Sequence, residues 1–267
     1  MSTRNVRAVF ISDVHLGTSD CQAQYLLDFL QHHQMDNLYL VGDIVDLLYM
    51  RKRVNFTVQH EEVVNSIVQL ARSGTRVIYI PGNHDAKFRR FCGQTFAGIE
   101  IRRHAVHHGA DGRRFFVSHG DEFDGAMHAG VLWTVVGDLS HTLLLRLNTL
   151  VNGMRRLLKL PYWSFAGYIK TRIGKAAEFI RRYEWIAARK ARELDFDGYI
   201  CGHIHVSGMR RIDGVLYCND GDWVEHCTAL VEERNGQFAL VHWADRKEVL
   251  LRENELTDSW DPLPQAQ

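Results

Sequence analysis

The sequence predicts an α/β fold in which two packed sheets carry helices on their outer faces. Between Val6 and Ile80, short β-branched apolar runs alternate with helical patterns, which indicates a partly parallel sheet with right-handed connections. Further along the chain, strand-like runs flank Asp111-Gly112 and Asn235-Gly236, and the second of these turns is a strong hairpin signal. An antiparallel part is therefore expected beside the parallel one.

Five apolar runs are predicted to be buried strands. Each leads into Gly, Asp, Asn or His residues, as buried strands do where they emerge into loops. Their length and their content of β-branched residues distinguish them from the longer helical patterns that lie between them. The five runs are Val6–Ser12, Asn37–Val41, Arg76–Ile80, Phe115–Ser118 and Gly198–Cys201.

Two helices are predicted between the first three strands. The first contains Tyr25–Leu30 and follows an N-cap at Ser19 or Asp20. The second contains Val63–Leu70, where apolar residues repeat at a spacing of three and four. It is expected to stop at Gly74, because glycine is favoured just after the last helical residue.

The composition is that of a soluble globular protein, with 46% hydrophobic and 24% charged residues and a formal net charge of zero. No global electric field is therefore expected to recruit nucleic acid or membranes. The five cysteines form no CxxC pair, which predicts reduced thiols and a cytoplasmic location. No signal peptide is expected, since the first apolar run leads directly into polar motif residues. The most apolar long stretch, Val131–Val151, contains Asp138, His141 and Arg146, so no transmembrane helix is expected.

The segment from 125 to 194 breaks the alternation of strands and helices and is predicted to be a helical cap inserted into the core. Apolar residues keep helical spacing over Val131–Val151, and a second helical stretch covers Tyr168–Glu193 after a break at Pro161. Between Arg146 and Arg192 there are 12 Lys/Arg and 2 Asp/Glu, a local charge of +10 that leaves −10 for the rest of the chain. This asymmetry predicts a binding role for the cap. The predicted domains are a discontinuous core of 1–124 and 195–255, the cap of 125–194, and a C-terminal tail of 256–267.

Five short polar motifs carry the residues of a candidate metal site. Four of them end an apolar run, so a parallel sheet would bring them together at its C-terminal edge, where open α/β sheets bind ligands. A single histidine or Asp-Gly step is usually structural, but all five motifs in this order are far rarer by chance. The motifs are Asp13-Val14-His15, Gly42-Asp43, Gly82-Asn83-His84-Asp85, Ser118-His119-Gly120 and Gly202-His203-Ile204-His205.

The residue types in these motifs suit divalent cations, because they offer carboxylate, imidazole and amide oxygen without thiolate. In Asp13-x-His15 and His203-x-His205, alternate residues of an extended segment would point the same way, so two ligands would converge on one ion. Asp43 is the best candidate for a bridging ligand, since its two oxygens can reach two ions. Two ions about 3.5–4 Å apart can hold a phosphoryl oxygen and polarise a water molecule. The motifs therefore predict a phosphoesterase.

His84 is the predicted general acid. It follows Asn83 immediately, so it can sit beside the metals without binding them. There it could protonate the leaving oxygen, with Asp85 or another carboxylate orienting the ring. Asp46, three residues after Asp43, is either such a carboxylate or merely a loop residue.

Together the motifs resemble those of the calcineurin-like metallophosphoesterases, D-x-H, G-D, G-N-H-D/E, H and G-H-x-H, over about Val6 to Asn219. The resemblance implies a four-layer αββα sandwich with two metal ions, often manganese, and His84 as general acid. It implies that one ion is held by Asp13, His15, Asp43 and His205. The other would be held by Asp43, Asn83, His119 and His203.

The basic insertion and His119-Gly120-Asp121 also resemble a narrower group, the bacterial UDP-2,3-diacylglucosamine hydrolases, which cut a pyrophosphate to give a lipid A precursor and UMP. The best-known branch has Arg at the position of His84, so this chain resembles a second branch. The resemblance implies a lipid-linked nucleotide substrate and no obligate nucleic-acid or protein partner. An apolar face of the cap could cover acyl chains, while Lys170, Arg172 and Lys175 contact phosphates or an anionic inner-membrane surface.

Several alternatives stay open, including another nucleotide pyrophosphate or a soluble phosphodiester as substrate. A nuclease could use the same core with aromatic residues of Tyr162–Tyr168 stacked on bases, although no nucleic-acid module accompanies them. A non-catalytic scaffold would arise by loss of ligands, and none is lost here. Asp220 and Asp222 either approach the metals or form a turn. The remaining histidines are expected to be structural or solvent-facing: His104, His107, His108, His128 and His141.

Overall fold

Two β-sheets with helices on their outer faces form the fold, as the sequence predicts. The computed structural model describes residues 3–127, 155, 158 and 174–256. The first predicted cap helix over Val131–Val151, the break at Pro161 and the tail after residue 256 lie outside these residues. The separate cap domain therefore stays a prediction, whereas the α/β class is confirmed.

Eight strands form the first sheet. They are β1 (Arg4–Ile11), β2 (His33–Leu40), β3 (Arg76–Tyr79), β4 (Thr95–Phe96), β5 (Ile99–Ile101), β11 (Thr228–Glu232), β12 (Phe238–Trp243) and β13 (Lys247–Arg252). Their order is β13-β12-β11-β1-β2-β3-β5-β4. Strands β1, β2, β3 and β5 are parallel neighbours, whereas β11, β12 and β13 add to β1 in antiparallel pairs. The predicted hairpin at Asn235-Gly236 joins β11 to β12.

Five strands form the second sheet, with parallel strands in the middle and antiparallel strands at both edges. They are β6 (Ala105–His108), β7 (Arg114–Val117), β8 (Gly198–Cys201), β9 (Gly208–Ile212) and β10 (Val215–Asn219). The order is β6-β7-β8-β10-β9, in which β7, β8 and β10 are parallel. The turn predicted at Asp111-Gly112 joins β6 to β7 in an antiparallel pair.

The described residues contain five α-helices and three short 3-10 helices. They are α1 (Ala23–His32), α2 (Leu47–Met50), α3 (Val58–Arg72), α4 (Asp124–Met127) and α5 (Gly174–Glu193), with 3-10 turns at Ala86–Phe91, Asp121–Phe123 and Glu253–Glu255. Helix α3 is followed by Gly74 at φ 103°, which confirms the predicted stop. The N-cap prediction for α1 is wrong, because Gln22 occupies the N-cap position, without a capping hydrogen bond from its side chain. The backbone N–H of Gln22 donates to the carbonyl of Trp223 at 2.8 Å, and this long-range contact fixes where the helix begins.

Three groups of buried side chains show how the layers pack. Leu26 of α1 and Val63 of α3 cover the outer face of the first sheet. Phe10 and Phe115 belong to the apolar core between the two sheets. Tyr183 of α5 belongs to a third group, on the outer face of the second sheet. The order of layers is therefore helix, sheet, sheet, helix.

Helix α5 belongs to the segment predicted as the cap, yet it forms part of the fourth layer. Its small residues Ala187, Ala188 and Ala191 are buried against Tyr199 and other residues of the second sheet. Small side chains let a helix approach a sheet closely, so the contact is well packed. Among the described helices, none is long and apolar enough to cross a bilayer.

His33, the first residue of β2, is a buried histidine far from the metal motifs. Its Nδ1 donates to the carbonyl of Phe29 at 2.8 Å, and its ring stacks on the Phe29 ring with centroids 4.1 Å apart. Burial lowers the pKa of His33 from 6.5 to about 4. Below pH 6.5 the unfolded chain therefore binds a proton that the folded chain does not, and stability is lost as the pH falls towards 4.

This linkage predicts that His33→Asn flattens the acid dependence of stability. Between pH 7 and pH 5 the free energy of unfolding of the wild type should fall by about 2 kcal/mol more than that of the variant, because only the wild type carries this histidine. Urea denaturation at both pH values, with chelator present so that metal binding does not contribute, measures the difference. Parallel pH curves for the two proteins would contradict the linkage.

Candidate metal centre

The seven predicted metal ligands come together where the C-terminal ends of strands from both sheets meet. Asp13 and His15 follow β1, Asp43 follows β2, and Asn83 lies in the loop after β3, all in the first sheet. His119 follows β7, and His203 and His205 follow β8, in the second sheet. The prediction that a single parallel sheet gathers them is therefore wrong. Each sheet supplies part of the site, because the two sheets pack face to face with these strand ends on the same side.

Five of the ligand residues have a left-handed backbone: Asp13 (φ 50°), His15 (φ 53°), Asp43 (φ 54°), His203 (φ 73°) and His205 (φ 53°). The described part of the chain contains nine non-glycine residues with positive φ, so this conformation is concentrated at the site. Such residues cost about 1–3 kcal/mol each and cluster at functional sites. The expectation that these segments are extended is wrong, and the ligands converge through tight turns instead.

Two glycines leave space that the ligands occupy. A Cβ atom on Gly82 would lie 2.3 Å from Asp43 Oδ1 and 2.7 Å from His119 Nε2. A Cβ atom on Gly202 would lie 2.5 Å from Asp13 Oδ2. Real Cβ atoms do not approach other atoms this closely, so glycine is required at both positions.

Asp13, His15 and His205 form the first group of ligands. Asp13 Oδ1 lies 3.1 Å from His205 Nε2 and 3.9 Å from His15 Nε2. His15 Nε2 is buried and makes no hydrogen bond within the described residues. Buried polar atoms are normally paired, so this nitrogen, which lies 3.9 Å from the Asp13 carboxylate, fits a bound cation.

Asp43, Asn83 and His119 form the second group. His119 Nε2 lies 3.3 Å from Asp43 Oδ2 and 3.1 Å from Asn83 Oδ1. The other ring nitrogen, Nδ1, donates to the carbonyl of Val41 at 2.8 Å. This bond turns Nε2 towards the carboxylate, which is how metal-binding histidines are commonly oriented.

The two histidines of the Gly-His-x-His motif lie in different groups. The His205 ring is 5.3 Å from the His15 ring, whereas the His203 ring is 5.1 Å from the His119 ring. His203 Nε2 also contacts Asp124 Oδ1 at 2.7 Å. The prediction that His203 and His205 bind the same ion is therefore wrong, because the backbone turns between them. The division agrees with the ligand sets that the family resemblance implies.

The electrostatics of the site fit cation binding. Burial opposes the charge on Asp43, but the adjacent imidazole of His119 lowers the pKa of this carboxyl well below its usual range. Burial likewise opposes the charge on His119, yet Asp43 and Asp13 raise the pKa of its ring well above the usual value. A cluster of carboxylates that attracts a proton so strongly also attracts a divalent cation.

The carboxylate beside His84 is that of Asp46 and not that of Asp85. Asp46 Oδ2 lies 3.0 Å from Nδ1 of His84 and 3.0 Å from Nδ1 of His15. Asp46 Oδ1 also accepts from the backbone N–H of Tyr49 at 2.7 Å, so the carboxylate is held from three sides. Asp46 therefore links the predicted general acid to a predicted metal ligand.

Asp85 is fully buried and contacts the backbone instead. Its Oδ1 accepts from the N–H of Gly82 at 2.6 Å, and its Oδ2 accepts from the N–H of Ile44 at 2.9 Å and from the hydroxyl of Tyr79. These bonds join the loop after β3 to the loop after β2. The expectation that Asp85 orients His84 is corrected, because its carboxylate points into the protein.

Asp220 and Asp222 lie close to the ligands. Asp220 is fully buried and accepts from Ser12 Oγ at 2.6 Å, and Ser12 Oγ is also 2.5 Å from Asp13 Oδ2. Burial raises the pKa of Asp220 well above its usual value. Asp222 Oδ1 accepts from the N–H of Val224 at 2.8 Å, so it forms a turn, and its Oδ2 is 3.8 Å from His205 Nδ1. The turn, one of the two alternatives raised by the sequence, is therefore what Asp222 forms, next to a predicted ligand.

Sequence reasoning missed a paired contact between two ligand loops. Arg89, just after Gly82-Asn83-His84-Asp85, donates to both carboxylate oxygens of Asp121 at 2.7 and 2.6 Å. Asp121 is two residues after His119, so the pair holds the loops of Asn83 and His119 together. Nothing in the spacing of Arg89 and Asp121 along the chain indicates this pairing.

The predicted substrate-binding residues lie in the insertion. Lys170 and Arg172 are outside the described residues, and Lys175 is the second residue of α5. Their role in binding stays a prediction.

The close approach at Gly82 predicts that Gly82→Ala loses bound metal. The added methyl group would collide with Asp43 and His119, so at least one of two metal equivalents should be lost. Elemental analysis after reconstitution with Mn²⁺ measures the content. The matched control is Gly208→Ala, since a Cβ atom at Gly208 meets no atom within 4 Å. Wild-type metal content in the Gly82 variant would contradict the prediction.

The sequence pattern of the calcineurin-like phosphoesterase family matches residues 6–207, which is most of the chain. No curated protein matches the sequence.

Solved structures with similar folds include a phosphoesterase of E. coli, YfcE, at 13% identity and a TM-score of 0.48, covering 92% of this chain and 97% of that chain. An archaeal phosphodiesterase has 14% identity and a TM-score of 0.44, with 91% and 99% covered. Vps29 of Entamoeba histolytica, complexed with Zn²⁺, has 15% identity and a TM-score of 0.46, with 91% and 97% covered. At these low scores and identities the neighbours carry no argument about the site or its substrate.

The family match covers every predicted ligand, from Asp13 to His205, and the structure brings these residues together. The chain therefore belongs to the calcineurin-like phosphoesterase family and is a metal-dependent hydrolase.

Proposed function

We propose that the protein cleaves the pyrophosphate of UDP-2,3-diacylglucosamine, or of a similar lipid-linked nucleotide, to UMP and a lipid phosphate. The observation that carries the phosphoesterase part is the convergence of carboxylate, imidazole and amide ligands from both sheets around Asp43. The lipid-linked substrate is supported by the basic, apolar insertion between His119 and His203, with its local charge of +10.

Two divalent ions, which we propose to be Mn²⁺, would be held in two overlapping ligand sets. Asp13, His15, Asp43 and His205 would hold one ion. Asp43, Asn83, His119 and His203 would hold the other. When bound, the ions supply positive charge that neutralises the phosphoryl oxygens and activates the attacking water.

His84 would donate a proton to the leaving oxygen. Its side chain is one-third exposed at 33%, so a substrate can reach it, and its Nδ1 faces Asp46. The proton on Nε2 is then the one available for transfer. Asp46 would hold the ring in this direction.

The insertion would bind the lipid part of the substrate. An apolar face could cover the acyl chains, and Lys170, Arg172 and Lys175 could contact phosphates or an anionic membrane surface. Helix α5 packs on the second sheet next to the loop that carries His119, which supports a position of the insertion beside the metal centre.

The proposal predicts that Mn²⁺-loaded protein releases UMP from UDP-2,3-diacylglucosamine. Asp43→Ala should release none, because it removes the ligand shared by both ion sets. Separation of nucleotides by ion-exchange chromatography measures the product. If the wild type cleaves a chromogenic phosphodiester in the presence of metal but releases no UMP, the phosphoesterase stands and this substrate is wrong.

A second candidate is a phosphodiesterase acting on a soluble ester, and the His84–Asp46 pair favours it. An alkoxide is a much poorer leaving group than a phosphate, so an alkyl ester gains most from a proton donor. Pyrophosphate cleavage, by contrast, expels a phosphate that is already a stable anion. A well-oriented proton donor is therefore most useful on an ester substrate.

The general-acid role predicts that the effect of His84→Ala depends on the leaving group. On an alkyl phosphodiester, kcat should fall by about 10²–10⁴-fold, the usual contribution of general acid catalysis. On a 4-nitrophenyl diester of the same charge the loss should be roughly tenfold or less, because nitrophenolate leaves without a proton. Metal content is measured in parallel to exclude loss of ions. Equal losses on both esters would show that His84 does not donate the proton.

A further inference from the structure

The segment Leu47–Val58, here called the lip, connects the metal centre to α3. It starts directly after Asp46, which contacts His15 and His84, and it contains α2 and the loop that follows. The lip therefore lies at the edge of the catalytic site. Apart from the backbone N–H of Tyr49, which donates to Asp46, no role in metal binding or proton transfer accounts for its residues.

Exposed apolar side chains are concentrated in the lip. They are Leu48 (44% exposed), Val54 (66%), Phe56 (41%) and Val58 (66%). Nine large hydrophobic residues are exposed in the described part of the chain, and the lip holds four of them within eleven residues. Single exposed apolar residues are normal, but a cluster next to a site marks an interaction surface.

The lip also carries concentrated positive charge. Arg51, Lys52 and Arg53 are consecutive and exposed, and the next acidic residue after Asp46 is Glu61. The neighbouring apolar residues are thus combined with a charge of +3. The whole chain has a formal net charge of zero, so this positive charge is a local feature of the lip. The charged lip is complementary to an anionic partner.

Both ends of the lip are fastened to the metal centre. At its start, Met50 packs so closely on Gly17 that a Cβ atom there would lie 2.6 Å from the Met50 sulfur. Two residues beyond its end, His60 accepts a hydrogen bond at Nδ1 from the N–H of Gly17 at 3.2 Å. Gly17 is two residues after His15, so these contacts hold the lip against a ligand loop. The exposed side chains are therefore presented from a fixed position.

We propose that the lip docks on the surface of an anionic phospholipid bilayer. Val54 and Val58 would enter the boundary between headgroups and acyl chains, while Arg51–Arg53 contact lipid phosphates. The two most exposed apolar side chains, Val54 and Val58, are aliphatic and cannot stack on nucleobases, which favours a bilayer over a nucleic acid. The proposal goes beyond the proposed function, because docking requires no turnover. It also assigns membrane contact to a part of the core, in addition to the basic insertion.

Sedimentation of the full chain with sucrose-loaded vesicles tests the proposal, with substrate absent. Vesicles of phosphatidylcholine alone are compared with vesicles that contain phosphatidylglycerol. The wild type should pellet with the anionic vesicles at low salt. Replacement of Arg51, Lys52 and Arg53 by Gln should lower the partition coefficient on the order of 100-fold, because each basic residue contributes a factor of about five. Val54→Ser with Val58→Ser should lower it roughly tenfold.

The matched control replaces three exposed arginines elsewhere, Arg72, Arg103 and Arg246, by Gln, which makes the same change in net charge. This control should bind within about threefold of the wild type, and urea midpoints confirm that all variants fold. If the wild type does not bind anionic vesicles, the proposal is wrong, whether or not the protein binds a single-stranded RNA in a parallel assay. Equal binding by the lip variant and the wild type would also overturn it. Neither result bears on UMP release, so the two proposals fail independently.

Discussion

The carboxylate of Asp43 is the point at which the loops of the two sheets meet, and the rest of the site depends on it. Its Oδ1 accepts from the backbone N–H of His84 at 2.8 Å, and its Oδ2 is 3.3 Å from His119 Nε2. The preceding residue, Gly42, passes so close to His119 that a Cβ atom would lie 2.2 Å from its Nδ1. This packing joins three loops, so Asp43, Asn83 and His119 cannot move independently of one another.

Much of this arrangement could be predicted from the sequence, because strands that end in ligand residues are local features. Short-range chemistry accounts for the core strands that begin with the run at Val6, for the hairpin at Asn235-Gly236 and for the end of α3 before Gly74. Local patterns do not indicate to which of the two sheets each strand belongs. Ligands expected along one edge therefore come from two sheets, and only long-range packing decides this.

The direction of side chains was the weaker part of the prediction. Asp13 and His205 adopt left-handed backbone conformations that Asp and His tolerate but do not require, so their identity does not reveal the turn. Asp85 and Asp46 are equally plausible partners for His84 when only the distance along the chain is considered. The difference between them comes from the backbone N–H groups that donate to Asp85. The residue types along the chain do not indicate where these N–H groups lie.

The separation of the ligands along the chain has a consequence for synthesis on the ribosome. Asp13 Oδ2 accepts from the backbone N–H of His203, a contact between residues 190 positions apart. At ordinary translation speeds, about 10–40 s pass between the emergence of these two residues. During that interval the first carboxylates have no histidines from β8 beside them. Neither predicted ligand set is therefore complete before β8 has emerged, because β8 is followed by His203 and His205.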